Sequence, residues 1–220
     1  MQRNGIAIAL AWPETLCKQS GAWYDPILYT LGFTHNHYYK VGHAAVVLIN
    51  KEDGKCCYFD FGRYHAPFGY GRVRDAETDH DLEIYTKAIV DENGNLKNYK
   101  NILAELILNP SCHGDGDLHA SHCEVDFIKA FNKAKQLQEK SPLPYGPFVQ
   151  NGTNCSRFVN TVILSGKPKL KFQLQLIAPV TFTPTPITNV KVLSNYVRLD
   201  KGFYICSSNA LSSIAVNVLV

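Results

Sequence analysis

Residues 151–160 read NGTNCSRFVN, and the reading of this stretch decides the fold and the chemistry together. Cys155, Phe158, Val159, Val162 and Ile163 fall at i, i+3, i+4, i+7 and i+8, the spacing of one helical face. The spacing predicts a helix over Asn154–Ser165, stopped by Gly166 and Pro168. Thr153 or Asn154 is placed to cap it, and Cys155 lies in its first turn with the apolar stripe. Free N–H groups and the positive dipole end of a helix favour a thiolate, and they can hold a developing oxyanion. The same position also suits a small buried thiol that fills space beside a cap. The two readings separate on whether the chain supplies a base.

A thiolate nucleophile works with a base, usually histidine, held by a third polar group. His43 opens the β-favouring run GHAAVVLI, where counting by twos sets His43, Ala45, Val47 and Ile49 on one face. NKEDGK joins this run to CCYFDFG (56–62), a hairpin signal. A four-residue KEDG loop pairs Asn50 with Lys55, which sets Asp60 opposite Ala45, on the face of His43 and diagonal to it. A two-residue Asp53-Gly54 turn instead sets Asp60 opposite Val47, out of reach.

Working outward, Ile6–Trp12 reads as a first strand and Asp25–Gly32 as a short helix ended by glycine. Arg63–Arg74 reads as a loop, Leu82–Val90 as a strand and Tyr99–Leu108 as a helix. Ser121 and Glu124 fit a capping box that opens a helix running to about Gln138. KLKFQLQLI (169–177) alternates as a half-buried strand does, TFTPTP reads as an edge or turn, and two further β-like stretches finish the chain. The pattern predicts an α+β fold with a central antiparallel sheet packed by helices. It is read as a single domain over 1–220, a core over 1–165 carrying a β-rich extension over 166–220.

Composition is that of an ordinary globular chain: 220 residues, 45% hydrophobic, 19% charged and a net charge of +3. Arg63, Arg72 and Arg74 are too sparse a group for a nucleic-acid surface, so no nucleic-acid partner is expected. The longest apolar run, Ile6–Trp12, is far too short to span a membrane. It meets Pro13 and Glu14 without a small-residue cleavage site, so a cytoplasmic chain is the default expectation, and an exported one if a leader has been removed. Seven cysteines cannot all pair, which favours reduced thiols. Nothing in the pattern indicates an oligomeric state.

Together, PYGPFVQNGTNCSRFV and GHAAVVLINKEDG resemble the NlpC-type peptidases of the papain-like fold. Pro144, Tyr145, Gly146, Asn154, Cys155, Ser156, Phe158 and Val159 carry the likeness in the first segment, and the His43 strand carries it in the second. The order, His43 before Cys155, resembles the circularly permuted branch that includes lecithin–retinol-acyltransferase-like and bacterial permuted papain-fold proteins. The resemblance implies Cys155 as nucleophile, His43 as general base and acid, Asp60 as the group orienting the histidine, and Tyr145 near the oxyanion. It also implies a thiol-dependent hydrolase of amidase or peptidase type, with a peptide-like or acyl-containing substrate, an acyl-enzyme intermediate and no cofactor. Gln150 lies upstream of the cysteine at a spacing unlike that of papain's oxyanion glutamine.

Two other segments bear on function. FGRYHAPFGYGRVRD (61–75) supplies Arg63, Tyr64 and Arg72 as candidates to line a substrate cleft, where arginines pair with carboxylates. CHGDGDLHASHC (112–123) is rich in metal-ligating side chains, although its spacing matches no familiar zinc motif, and the expectation is no metal. The alternatives to a hydrolase are a catalytically inactive or acyl-transferring papain-fold binding protein, and a metal-binding protein built on Cys112–Cys123.

Overall fold

All eight residues of the first strand, GIAIALAW, are buried, and they show how the molecule is layered. Ala7, Ala9 and Ala11 join one core and Ile6, Ile8, Leu10 and Trp12 the other. A strand buried on both faces and small on one of them lets helices approach that face closely. The computed structural model describes residues 3–19, 23, 25–30, 34–35, 38–39, 41–178 and 183–205.

The chain runs β1 (Gly5–Trp12), β2 (Cys17–Lys18), α1 (Asp25–Thr30), β3 (Thr34–His35), β4 (Tyr38–Tyr39), β5 (His43–Asn50) and β6 (Cys56–Gly62). β7 (Tyr70–Arg74), α2 (Tyr99–Leu108), β8 (Leu118–Val125), α3 (Phe127–Glu139) and β9 (Leu143–Pro144) follow. It continues through α4 (Cys155–Ser165), α5 (Leu170–Ile177), α6 (Pro186–Lys191) and β10 (Ser194–Leu199). Seven strands form an antiparallel sheet in the order β10-β8-β1-β5-β6-β7-β9, and β2-β4-β3 form a small second sheet. α3, α4, α5 and α6 cover the alanine face, and α2 covers the other. This is the expected α+β fold, papain-like in that a cysteine-bearing helix packs on a central antiparallel sheet.

The hairpin takes its longer form. The Asn50 N–H donates to the Lys55 carbonyl at 3.0 Å, and Ala45 pairs with Asp60. Gly54 closes the loop at φ +70°, where the Ala88 carbonyl would lie 2.4 Å from any Cβ. The shorter Asp53-Gly54 turn is not formed.

Four local expectations are corrected. Ser121 and Glu124 lie in β8, not at a helix start, because β1 pairs with residues 119–125 and β10 with residues 118–122. α3 is capped by Asp126, whose carboxylate accepts from the Lys129 N–H at 3.1 Å. KLKFQLQLI is helical over Leu170–Ile177: the same alternation sets Phe172 and Leu176 four apart, and that pair alone is buried. Leu82–Val90 forms no strand. Three of its N–H groups are taken by side chains instead, those of Tyr85 and Thr86 by the Glu105 carboxylate and that of Ile89 by Asn98, and the Ala88 N–H donates to the Gly54 carbonyl. The end of the 63–74 loop is strand β7, which pairs with β6.

The described part of 166–205 is mainly helical rather than β-rich, with β10 joining the main sheet. The proposed end of the first helix at Gly32 and the last β-like stretch lie outside the described residues.

The two faces of β1 should respond differently to volume. Ala9→Leu is expected to lose about 1–3 kcal/mol from overpacking, whereas Ile8→Val should lose about 0.5–1.5 kcal/mol, both read from urea midpoints.

Candidate active site

α4 begins where its sequence requires. Asn154 is the cap, with extended backbone and a side chain that accepts from the Arg157 N–H at 2.8 Å. Cys155 is then the first helical residue, 5% exposed, with Phe158, Val159, Val162 and Ile163 buried beneath it. The PYG segment folds back on the residues before the helix. The Thr153 N–H donates to the Pro144 carbonyl at 3.0 Å and the Gly146 N–H to the Thr153 carbonyl at 2.9 Å. Tyr145 is thereby brought to the site, its ring stacked on Phe61 with centroids 5.7 Å apart.

His43 reaches the same place from the sheet. Gly42, at φ +78°, makes the turn into β5, and any Cβ there would meet the Trp12 carbonyl oxygen at 2.8 Å. The odd residues of β5 face α2, so the body of His43 starts on the side of the sheet away from α4. The two meet because each stands at the end of its element. His43 and the Ala44 N–H both act on the Cys155 sulfur and favour its anion, and Ser156 Oγ lies 3.9 Å from it. His43 Nε2 lies 3.2 Å from Asp60 Oδ2. The ring packs between Trp12, stacked at 5.9 Å, and the edge of Tyr64, at 6.3 Å.

Behind the histidine is a second charge. Arg74 grips both oxygens of Asp60, Nε to Oδ1 at 3.0 Å and Nη2 to Oδ2 at 2.6 Å. The Tyr58 hydroxyl donates to Oδ2 at 3.2 Å. Burial would push the Asp60 carboxyl up, but hydrogen bonds from His43 and Arg74 hold it below the usual carboxylate range. Burial likewise works against the His43 charge. The hydrogen bonds and charges of Asp60 and Cys155 outweigh it and raise His43 to about 9.

The cysteines divide sharply. Six described cysteines are free thiols, and Cys206 lies outside the described residues. Burial pushes Cys17, Cys56, Cys112 and Cys123 up to about 12 and raises Cys57. Cys155 alone among them moves down: burial opposes its charge, and the hydrogen bond and charge of His43 prevail.

A cavity of about 470 Å³ opens beside these groups. His43, Tyr145, Arg63, Tyr64 and Cys17 line it, with Lys201, His113 and Asp115 at its polar side. Arg63 stands over the Tyr145 ring at 5.8 Å and donates to the Gln19 carbonyl at 2.8 Å. Arg72 does not line the cavity. Its guanidinium is occupied by both oxygens of Asp79, at 2.7 and 2.8 Å, and by the Tyr64 carbonyl. The Cys112–Cys123 segment is split by the sheet: Cys112 belongs to the α2-side core and Cys123 to the other. Among the described residues no three His, Cys, Asp or Glu side chains are grouped as a metal would require, and no helix there is long and apolar enough to cross a membrane.

A family model described as type VI secretion system effector TseH-like matches residues 7–172. The chain belongs to this family. The matched span contains His43, Asp60, Arg74, Tyr145 and Cys155. Compared with curated proteins, the chain matches none. A crystal structure of the type VI secretion system effector TseH superposes with a TM-score of 0.59 at 18% identity, covering 93% of this chain and 97% of that one. The likeness is one of fold. In this TseH-like chain sequence reasoning missed Arg74, Tyr58 and Cys17. Reading β7 as a strand would have found the first, since Arg74 pairs directly with Asp60.

The titrations set opposite stability limits. Asp60, depressed when folded, contributes above its unfolded value near 4, and that contribution is lost as pH falls. His43, raised when folded, contributes fully below about 6.5, and that contribution is lost as pH rises through about 9. Urea midpoints measured from pH 3 to 10 should therefore fall at both ends, and His43→Ala should remove most of the alkaline decline.

Proposed function

We propose that this TseH-like protein is a thiol-dependent hydrolase acting at an amide or ester. The observation that carries the reading is the meeting of Cys155, the first residue of α4, with a buried histidine whose Nε2 lies 3.2 Å from the Asp60 carboxylate; His43 in turn favours the Cys155 anion. Cys155 rests as a thiolate beside protonated His43 and attacks the substrate carbonyl. The oxyanion forms at the start of α4, facing the Cys155 N–H and the hydroxyl of Tyr145. Burial first, then the charge of Cys155, holds that phenol well above its usual range, so it keeps a proton to donate. His43 protonates the leaving group. Water then loses a proton to His43 as it attacks the acyl-enzyme, which releases the acid and restores the pair.

Chain order supports the permuted NlpC-type assignment: the histidine strand comes first and the nucleophile helix after it, while the spatial arrangement is papain-like. The whole described chain is proposed to serve one catalytic unit, since β10 closes the same sheet that carries His43 and Asp60. A cavity with Arg63, Lys201, His113 and Asp115 on its walls suits a polar, peptide-like substrate better than a lipid chain.

Cys155→Ala is expected to abolish hydrolysis of an activated ester or amide probe, and mass spectrometry of the wild-type protein should trap an acyl group on Cys155. His43→Ala should cost about 10²–10⁴-fold in kcat, and Tyr145→Phe about 10²-fold. Turnover that survives Cys155→Ala would sink the proposal. An acyl-enzyme that passes to an added amine faster than to water would reassign the chemistry as transfer.

A further inference from the structure

The charge nearest the catalytic aspartate belongs to a residue with no place in the proposed reaction. Asp60 is fully buried and Arg74 is 3% exposed. Arg74 Nη2 also donates to the Ser111 carbonyl at 3.0 Å, and the guanidinium lies 3.5 Å from the centre of the Tyr64 ring. That ring stacks on His113 at 4.9 Å and meets His43 edge-on. The arginine is thus fixed by strand pairing, a carbonyl and an aromatic face, with two parallel bonds to one carboxylate.

We propose that Arg74 is a positioning residue of this site: it holds the Asp60 carboxylate against His43 and supplies the positive charge that makes the thiolate form electrically neutral. The proposal rests on reading Cys155 as the nucleophile. With Arg74 present, the buried set of Arg74 and His43 as cations and Asp60 and Cys155 as anions sums to zero. Without Arg74, and with His43 still protonated, the thiolate form carries one net negative charge around the fully buried Asp60, whereas the thiol form is neutral. Burying a net charge is the costlier state, so the proton stays on sulfur.

Other groups that face this set do not supply the missing charge. Tyr58 from β6 and Tyr64 from the following loop are phenols pushed well above their usual range by burial. Cys112, before the His113 turn, and Cys17 on β2 are thiols raised to about 12. His113 is pushed down, by burial and then by the charge of Arg74. Tyr145 keeps its proton. Arg63, Asp115 and Lys201 stand at the cavity, whereas the Asp60 carboxylate is hydrogen-bonded by His43, Tyr58 and Arg74.

The test follows alkylation of Cys155 by iodoacetamide across pH, read by mass spectrometry, alongside ester turnover and urea unfolding. Arg74→Met should move the alkylation midpoint about one to three pH units upward and slow alkylation at pH 7 by about tenfold or more. Arg74→Lys keeps the charge but lacks the two-pronged grip. It should hold the midpoint near the wild-type value and still lower kcat by about tenfold with little change in KM. A cooperatively folded Arg74→Met protein with an unshifted midpoint overturns the charge role. Arg74→Lys with wild-type kcat overturns the positioning role, and this arm stands even where the methionine variant does not fold. A wild-type protein whose Cys155 alkylates with an ordinary thiol profile would instead refute the nucleophile reading itself.

Discussion

Everything at this site depends on one contact made around the end of a sheet. His43 starts on the α2 side of β5, and Cys155 sits on the side covered by α4. Residues in the middle of their elements could not meet, because the sheet would stand between them. They touch because one is the first residue of its strand and the other the first residue of its helix. Gly42 and Asn154 are the two residues that fix those first positions, one by a left-handed turn and one by a cap.

The contact also explains the unusual electrostatics. Burial alone keeps a thiol protonated, as it does at Cys17, Cys56, Cys112 and Cys123. Only a cation held at bonding distance reverses that preference, and a buried histidine is a cation only while an anion faces it. Asp60 is that anion, and Arg74 in turn holds Asp60 ionised. Each member of the row is tolerable in the interior because of the next, so removing any one leaves an unpaired charge.

Much of this could be read from the chain. The five-residue stripe that begins at Cys155 fixed the helix and its inward face, since apolar spacing reports burial directly. The hairpin was legible as a hairpin, but its register depended on the loop type, which KEDG and DG both permitted. The structure's Ala45–Asp60 pair selects the longer loop. Where reading failed, local signals lost to distant partners. Ser121 and Glu124 carry a sound capping pattern that strand pairing with β1 and β10 overrides. KLKFQLQLI alternates convincingly, yet the core takes only Phe172 and Leu176. Arg74 was hidden because RVR follows a Gly- and Tyr-rich stretch that reads as loop, so its pairing with Asp60 could not be seen.

The position of β1 in the middle of the sheet has a consequence for how the molecule comes into being. β1 is made first, but its two neighbours are β5 and β8, and the second of these arrives only with residues 118–125. Until then an apolar strand keeps one open edge, the kind of surface that recruits other chains. Cys155 is made later still. Long-range closure of this sort is slow, because loop entropy is spent before contacts repay it. The contact between Cys155 and His43 can therefore form only once both neighbours of β1 have been made, because α4 follows β5 and β8 in the chain.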